Sequence, residues 1–213
     1  PISLEIAGAR LSLNQDGSVQ LQVGATEIGQ GADTVFSQMA AETLHMDISR
    51  VHIVTQQDTD VTPFDTGAYA SRQSFVTGTA VKECAQQLKQ KILEYARTLV
   101  PGNVDRLELE DGYILADGKP AISLEDLAME SYYSLSNSSV LTAEVSRQVK
   151  KNTVASGCCF AEVEVDMKLG KIKVLDIVNV HDSGTLLNPQ LAAMQVHGGM
   201  FMGIGYGVSE QLL

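Results

Sequence analysis

The sequence predicts an α+β fold: two α/β subdomains, each with a mixed or antiparallel sheet beside long packed helices. Three observations predict it. Strand-like alternation and four-residue helical periodicity take turns along the chain. Two hairpin-then-helix arrangements, near residues 11–46 and 160–208, resemble each other loosely. A chain of 213 residues, 44% hydrophobic and 19% charged, can bury a proper core as one large domain or two small ones. Subdomains spanning 1–100 and 101–213 are expected.

Each element follows from its local pattern. Leu11-Ser12-Leu13 and Val19-Gln20-Leu21-Gln22-Val23 alternate apolar and polar around Asn14-Gln15-Asp16-Gly17, a hairpin with Gly17 in the turn. The second strand leads into Gly29-Gln30-Gly31, after which Val35, Met39, Ala40 (or Thr43) and Leu44 share one helical face. The triplet is therefore a strand-to-helix turn. Val51-His52-Ile53-Val54-Thr55 reads as a strand. A long helix starts near Gln73 and sets Val76, Ala80, Cys84, Leu88, Ile92 and Ala96 in a core stripe; Pro101-Gly102 ends it. Arg106-Leu107-Glu108-Leu109 and Tyr113-Ile114-Leu115 flank Asp111-Gly112, a second hairpin. Ser123 caps a short helix. Residues 131–142 are Ser-rich and read as a loop carrying an edge strand. Alternation returns from Phe160 to Asp166 and from Lys171 to Val180, with Leu169-Gly170 at the turn. Asn188 can cap a last helix whose first residue is Pro189. There Gly199, Gly203 and Gly207 recur four apart, with Gln195 near the same face.

Composition excludes several classes of function. Net charge is −11 and no Lys/Arg cluster exceeds Arg147-Gln148-Val149-Lys150-Lys151, which argues against nucleic-acid and anionic-membrane surfaces. Three cysteines without framework spacing imply reduced thiols and a cytoplasmic home. Cys84 belongs to the helical core stripe, and Cys158-Cys159 is expected to be buried strand. No Cys-x-x-Cys occurs and the four histidines lack ligand spacing, so no zinc or iron–sulfur site is expected. Residues 186–209 carry no Asp, Glu, Lys or Arg and are long enough to span a bilayer. Asn188, Gln190, Gln195 and His197 make a buried glycine-rich helix the better reading. Pro1-Ile2-Ser3-Leu4-Glu5 is no signal peptide, and both termini read as cuts from a longer chain.

The chain is organised around Phe64-Asp65-Thr66-Gly67-Ala68-Tyr69-Ala70-Ser71-Arg72. A bend of nearly side-chain-free residues at a helix N-terminus offers open N–H groups and the positive end of the dipole, a natural anion seat. The plainer alternative is a tight turn with Ser71 as an N-cap. Gly-Gln-Gly is a weak signal alone; its glycines permit close backbone approach, and the Gln30 amide suits a polar ring edge. Gln195, on a glycine face, needs a partner for its amide.

Together, Glu27-Ile28-Gly29-Gln30-Gly31 with Thr34, Asp65 to Arg72, Asp182-Ser183-Gly184 with Asn188-Pro189, and Gln195-Val196-His197-Gly198-Gly199 form an ordered series. It closely resembles the second half of the molybdenum-binding subunit of the xanthine dehydrogenase and aldehyde oxidase family, with the bacterial three-subunit xanthine dehydrogenase type nearest. The resemblance covers nearly the whole chain and implies a molybdopterin-binding domain over residues 1–213. It implies molybdopterin, or its cytosine dinucleotide form, held by backbone N–H groups and glutamines. Gly29 and Gln30 would bind the pterin. Ala70 and Ser71, with backbone up to Arg72, would cradle pterin or phosphate, and Gln195 would reach an atom near the molybdenum.

The family reaction is oxidative hydroxylation of an electron-poor heterocycle carbon or an aldehyde, and purines such as hypoxanthine or xanthine are the expected substrates. No catalytic residue is assigned. The family's base glutamate is expected outside this chain, because Glu210 matches only the acidic position trailing the Gln195 helix. Partner subunits carrying FAD and 2Fe-2S centres are implied, as is a homo-oligomeric complex; the isolated chain is expected to hold no cofactor and to be inactive. An aldehyde or another N-heterocycle is the alternative substrate. A different class, a non-catalytic domain that binds a nucleotide or a protein, would be favoured if Gly29-Gln30-Gly31 were not a strand-to-helix turn.

Overall fold

The structure, a computed structural model, describes residues 5–151 and 153–211. The chain divides into two compact units, Pro1–Lys151 and Asn152–Leu213. The division falls well beyond the expected boundary at residue 100, because a late strand returns to pair with the first one.

In the first unit, alternation produces strands β1 (Ile6–Leu13) and β2 (Val19–Val23), paired antiparallel with Leu11 opposite Leu21. Their turn is set by Gly17 at φ 74° and by Asp16, whose carboxylate accepts from the Ser18 N–H and hydroxyl at 2.9 and 2.6 Å. Helix α1 (Ala32–Leu44) carries the chain to β3 (Val51–Ile53), which lies parallel to β2. Helix α2 (Gln73–Leu99) follows the long loop. A small sheet of β4 (Leu107–Glu110), β5 (Tyr113–Ala116) and β6 (Lys119–Ser123) comes next. The strand β6 extends the expected hairpin, because Asp117 and Gly118 both take positive φ and turn the chain back.

Ser123 caps α3 (Leu124–Tyr133), its hydroxyl accepting from the Asp126 N–H at 3.0 Å. The Ser-rich stretch departs from the expected loop carrying an edge strand: its first residues finish α3, and the edge strand, β7 (Thr142–Gln148), starts only at its last residue. It pairs with β1 and completes a sheet of order β3-β2-β1-β7.

Period-two burial decides which face of that sheet is covered. Ala7, Ala9, Leu11 and Leu13 of β1, Val19, Leu21 and Val23 of β2, and Ala143 and Val145 of β7 are buried. The α2 stripe of Val76, Ala80, Cys84, Leu88, Ile92 and Ala96 is buried throughout. Burying a leucine-sized side chain contributes about 1.5–3 kcal/mol, so this one stripe is a large share of what holds the unit together. Helices α1 and α2 approach closely where Gly78 leaves room: a Cβ there would lie 2.8 Å from the Met39 Sδ and Cε.

The second unit has strands β8 (Ser156–Asp166) and β9 (Lys171–Asp182), paired antiparallel with an irregularity after Glu162, and helix α4 (Pro189–Val208). Asn188 caps α4, its side chain accepting from the Leu191 N–H at 3.0 Å, with Pro189 at the first helical position. Two expectations fail here. Cys158 and Cys159 are exposed, and no residue of α4 is buried. A two-stranded ribbon and one helix supply no second layer to close over either face. Cβ atoms at Gly199, Gly203 and Gly207 would meet nothing within 4 Å. Among the described residues, no helix is long and apolar enough to cross a membrane.

Candidate functional site

The Gly29-Gln30-Gly31 segment is the expected strand-to-helix turn between β2 and α1, and this counts against the non-catalytic reading. Gly29 and Gly31 take φ of 101° and 85°, conformations that glycine adopts without penalty. The turn is organised by Glu27. Its carboxylate accepts from the N–H groups of Gly29 at 2.7 Å, Gly31 at 2.9 Å and Asp33 at 3.0 Å. Partial burial works against that charge, but the backbone donors outweigh it and hold the Glu27 carboxyl below its usual range. The N-terminus of α1 is therefore filled by an internal anion, and the Gly29 N–H is turned inward. Asp33 is pushed the other way by burial and then by the charge of Glu27; its Oδ1 is buried without a hydrogen-bond partner.

Gln30 is largely spoken for. Its Oε1 accepts from the Ile28 N–H at 2.7 Å, and its Nε2 donates to the Thr26 carbonyl at 3.1 Å and to Oε1 of Gln73. Gln73, the first residue of α2, is buried and donates to the same Thr26 carbonyl at 3.2 Å. Each amide has two donors and two acceptor sites. The pair thus keeps a spare donor on Gln73 and a spare acceptor position on each oxygen.

Gln73 was not among the residues singled out from the sequence. The available signal was an amide side chain directly after a small-residue bend. Through it, two of the three expected turns are in contact.

The bend itself is unusual. Ala70 and Ser71 sit consecutively in the left-handed region, at φ 50° and 54°. Such backbone costs a non-glycine residue on the order of 1–2 kcal/mol. Ser71 is not the cap; Arg72 occupies that position, with helical backbone and no side-chain capping bond. Among the described residues, the N–H groups of Ala70 and Ser71 have no hydrogen-bond partner, and both residues are exposed. Successive open N–H groups at a helix N-terminus make a concavity for an anion or an electron-rich ring atom.

Arg72 does not point into that concavity. Its side chain is 3% exposed. Nε donates to Glu5 at 2.7 Å, one terminal nitrogen donates to Asp65 at 2.5 Å and the Gly67 carbonyl at 2.8 Å, and the other donates to the Ile6 carbonyl at 2.8 Å. The guanidinium carbon also lies 5.5 Å from the Tyr69 ring centre. Asp65, with a fully buried side chain, accepts further bonds from the Gly67 N–H at 2.9 Å and the Thr77 hydroxyl at 2.7 Å. Burial opposes the Arg72 charge, but the two carboxylates overcompensate and raise its pKa.

The loop carrying Asp65 rests on two glycines of the sheet region. A Cβ at Gly24 would lie 2.1 Å from the Pro63 carbonyl oxygen, and one at Gly8 would lie 2.7 Å from the Pro63 Cβ.

Gln195 is carried by the second unit, exposed on α4, and Glu210 lies just beyond that helix with its N–H bonded to the Gly205 carbonyl at 2.9 Å. Among the described residues, no group of three or more His, Cys, Asp or Glu side chains is placed to hold a metal ion. The site offers instead backbone donors, paired amides and open space at Gly29, where a Cβ would meet nothing within 4 Å. That donor set fits a polar heterocycle with phosphate better than a bare cation.

Comparison with known proteins gives the family. The family profile described as "Molybdopterin cofactor-binding domain" matches residues 2–213. The chain is 49% identical to the xanthine dehydrogenase molybdenum-binding subunit of Escherichia coli O157:H7, over all of this chain and 29% of that protein. It is 28% identical to an aldehyde oxidoreductase molybdenum-binding subunit of Escherichia coli K12, over 98% of this chain and 27% of that protein. The structure superposes on reconstituted CO dehydrogenase from Oligotropha carboxidovorans with a TM-score of 0.79 and 27% identity, over 91% of this chain and 24% of that one. This chain thus spans less than a third of the length of the relatives it matches, and it belongs to the molybdopterin cofactor-binding domain family of xanthine dehydrogenase-like molybdenum-binding subunits.

Proposed function

We propose that the chain is the cofactor-cradling part of a molybdenum hydroxylase that oxidatively hydroxylates purines such as hypoxanthine or xanthine. One observation carries the reading: the unpartnered N–H groups of Ala70 and Ser71 come three and two residues before Gln73, whose amide pairs with that of Gln30. The two N–H groups receive a phosphate or pterin oxygen. The amide pair, with the spare donor on Gln73, meets the ring edge. Gln195, on α4 of the second unit, is kept as a further cofactor ligand on the family resemblance alone. When bound, the cofactor supplies the redox metal that this chain's side chains do not; the chain's own part is to bind and orient it.

The general base, the FAD and 2Fe-2S centres that take up electrons, and the assembly into a cytoplasmic homo-oligomeric complex belong to the rest of the protein and its partner subunits. The cofactor is molybdopterin or its cytosine dinucleotide form. A purine is favoured over an aldehyde because identity is 49% to the xanthine dehydrogenase subunit and 28% to the aldehyde oxidoreductase subunit.

The test uses the full-length subunit with its partners. Gln30→Ala, Gln73→Ala and Gln195→Ala are expected to lower bound molybdenum. Normal molybdenum content and turnover in both the Gln30 and Gln195 variants would defeat the site assignment. Turnover of xanthine against an aromatic aldehyde by the unaltered complex decides the substrate class.

A further inference from the structure

We infer that Arg72 is a positioning residue that locks the Ala70-Ser71 bend from behind, and that its anionic partners are Asp65 and Glu5 rather than a ligand. The inference rests on the proposal that this bend seats the molybdopterin. A cation beside an open anion seat invites the opposite assignment, and the geometry rules against it. Every nitrogen of the guanidinium that can donate is engaged inside the protein, on four acceptors drawn from three places: Glu5 and Ile6 at the start of β1, Asp65 in the loop, and Gly67 just before the bend.

The contacts also specify what is held. The Gly67 carbonyl is tied to Arg72, and the Gly67 N–H to Asp65 at 2.9 Å, so the residue entering the bend is fixed on both sides. Asp65 is fixed in turn by the Thr77 hydroxyl from α2, one turn into that helix, and by a bridge to Ala7 of β1. Two consecutive left-handed non-glycine residues persist only where their surroundings over-determine them. Here the over-determining element is one planar five-donor group, which lysine cannot reproduce. With the cation facing inward, the seat presents neutral main-chain donors. A bound anion then meets dipoles already aimed at it, with no guanidinium to reorganise.

The test is a double-variant cycle in the full-length subunit, produced with and without molybdenum cofactor. The variants are Arg72→Lys, Asp65→Asn and the pair. Two quantities are read: cofactor retained after gel filtration, and amide hydrogen exchange over residues 67–73 of the cofactor-free protein. A positioning role predicts that each single variant speeds exchange in that segment at least tenfold and lowers retained cofactor at least threefold. It also predicts that the pair is no worse than either alone.

A direct ligand role predicts unchanged exchange in the cofactor-free protein, loss of cofactor with Arg72→Lys only, and equal or better retention with Asp65→Asn; that result overturns the proposal and leaves the cofactor seat standing. Faster exchange with undiminished cofactor retention overturns the proposal too, and the seat along with it. Should either buried variant fail to fold, Glu5→Gln, which alters the partly exposed partner (15% side-chain exposure), is expected to shift both readouts in the same direction by a smaller factor. No shift in either would refute the clamp.

Discussion

The loop that ends in the bend is seated on glycine, and the sharpest perturbation is to fill that seat. At Gly24 a single added methyl would lie 2.1 Å from the Pro63 carbonyl oxygen, 2.7 Å from the Asp65 Cβ and 2.8 Å from the Asp65 nitrogen. Two of the three obstacles are backbone, so no side-chain rotation relieves the clash. The loop must retreat by roughly 1.3 Å or more, to bring the shortest contact to ordinary van der Waals range. Overpacking of this kind costs about 1–3 kcal/mol, and a backbone obstacle places Gly24→Ala at the upper end, about 3 kcal/mol.

The retreat falls on Asp65, which holds Gly67 and Arg72. Taken as local opening, about 3 kcal/mol corresponds to roughly a hundredfold faster exchange of the Gly67 and Arg72 amides. Hydrogen exchange on the full-length subunit measures this directly, with molybdenum content as the functional counterpart. Gly8→Ala, whose nearest obstacle is the Pro63 side chain at 2.7 Å, is expected to cost less. Wild-type exchange and full molybdenum content in Gly24→Ala would show that the loop is not seated there.

Three further outcomes follow from neighbouring groups. Thr77→Val leaves a lone pair of the buried Asp65 carboxylate without its donor at 2.7 Å and should lower stability by about 1–3 kcal/mol in thermal unfolding, whereas Thr77→Ser should restore it. Glu27 has a folded pKa below its unfolded value near 4.5, so its contribution is complete above that pH and is lost as pH falls through the folded value. Glu27→Gln should therefore cost about 1–2 kcal/mol at neutral pH, a gap with wild type that closes in acid unfolding series. Burial pushes the Cys84 thiol up to about 11, and the side chain is fully buried; at pH 8 iodoacetamide should leave it unmodified in the native protein and label it only after unfolding.

The fold was legible wherever burial of one face imposed a period. The β1–β2 hairpin, the α2 stripe and the Asn188-Pro189 start of α4 are all encoded within a few residues of themselves. The site was legible in its backbone and less so in its side chains. Gly29, Gly31 and the bend announced unusual φ by lacking bulk, but nothing local showed that Glu27 would occupy the N–H groups of that first turn. An acid two residues before Gly29 and four before Gly31 was the available hint.

From sequence, Arg72 stands out only through its backbone, as the last residue of the bend. The partner that engages its side chain is Glu5, 67 residues away, and no local pattern carries that distance. Gln73 was hidden by its place at the head of an apolar stripe. Cys158, Cys159 and α4 carry sequences suited to burial, yet the second unit as described has no layer to bury them.

The tie between Glu5 and Arg72 also sets a timetable. The contact spans 67 residues, with the β1–β2 hairpin, α1 and β3 between its ends, so closing it carries a long loop-closure cost. Under the role proposed for the bend, the seat is therefore expected to form late in folding, and molybdopterin to load only onto a folded first unit.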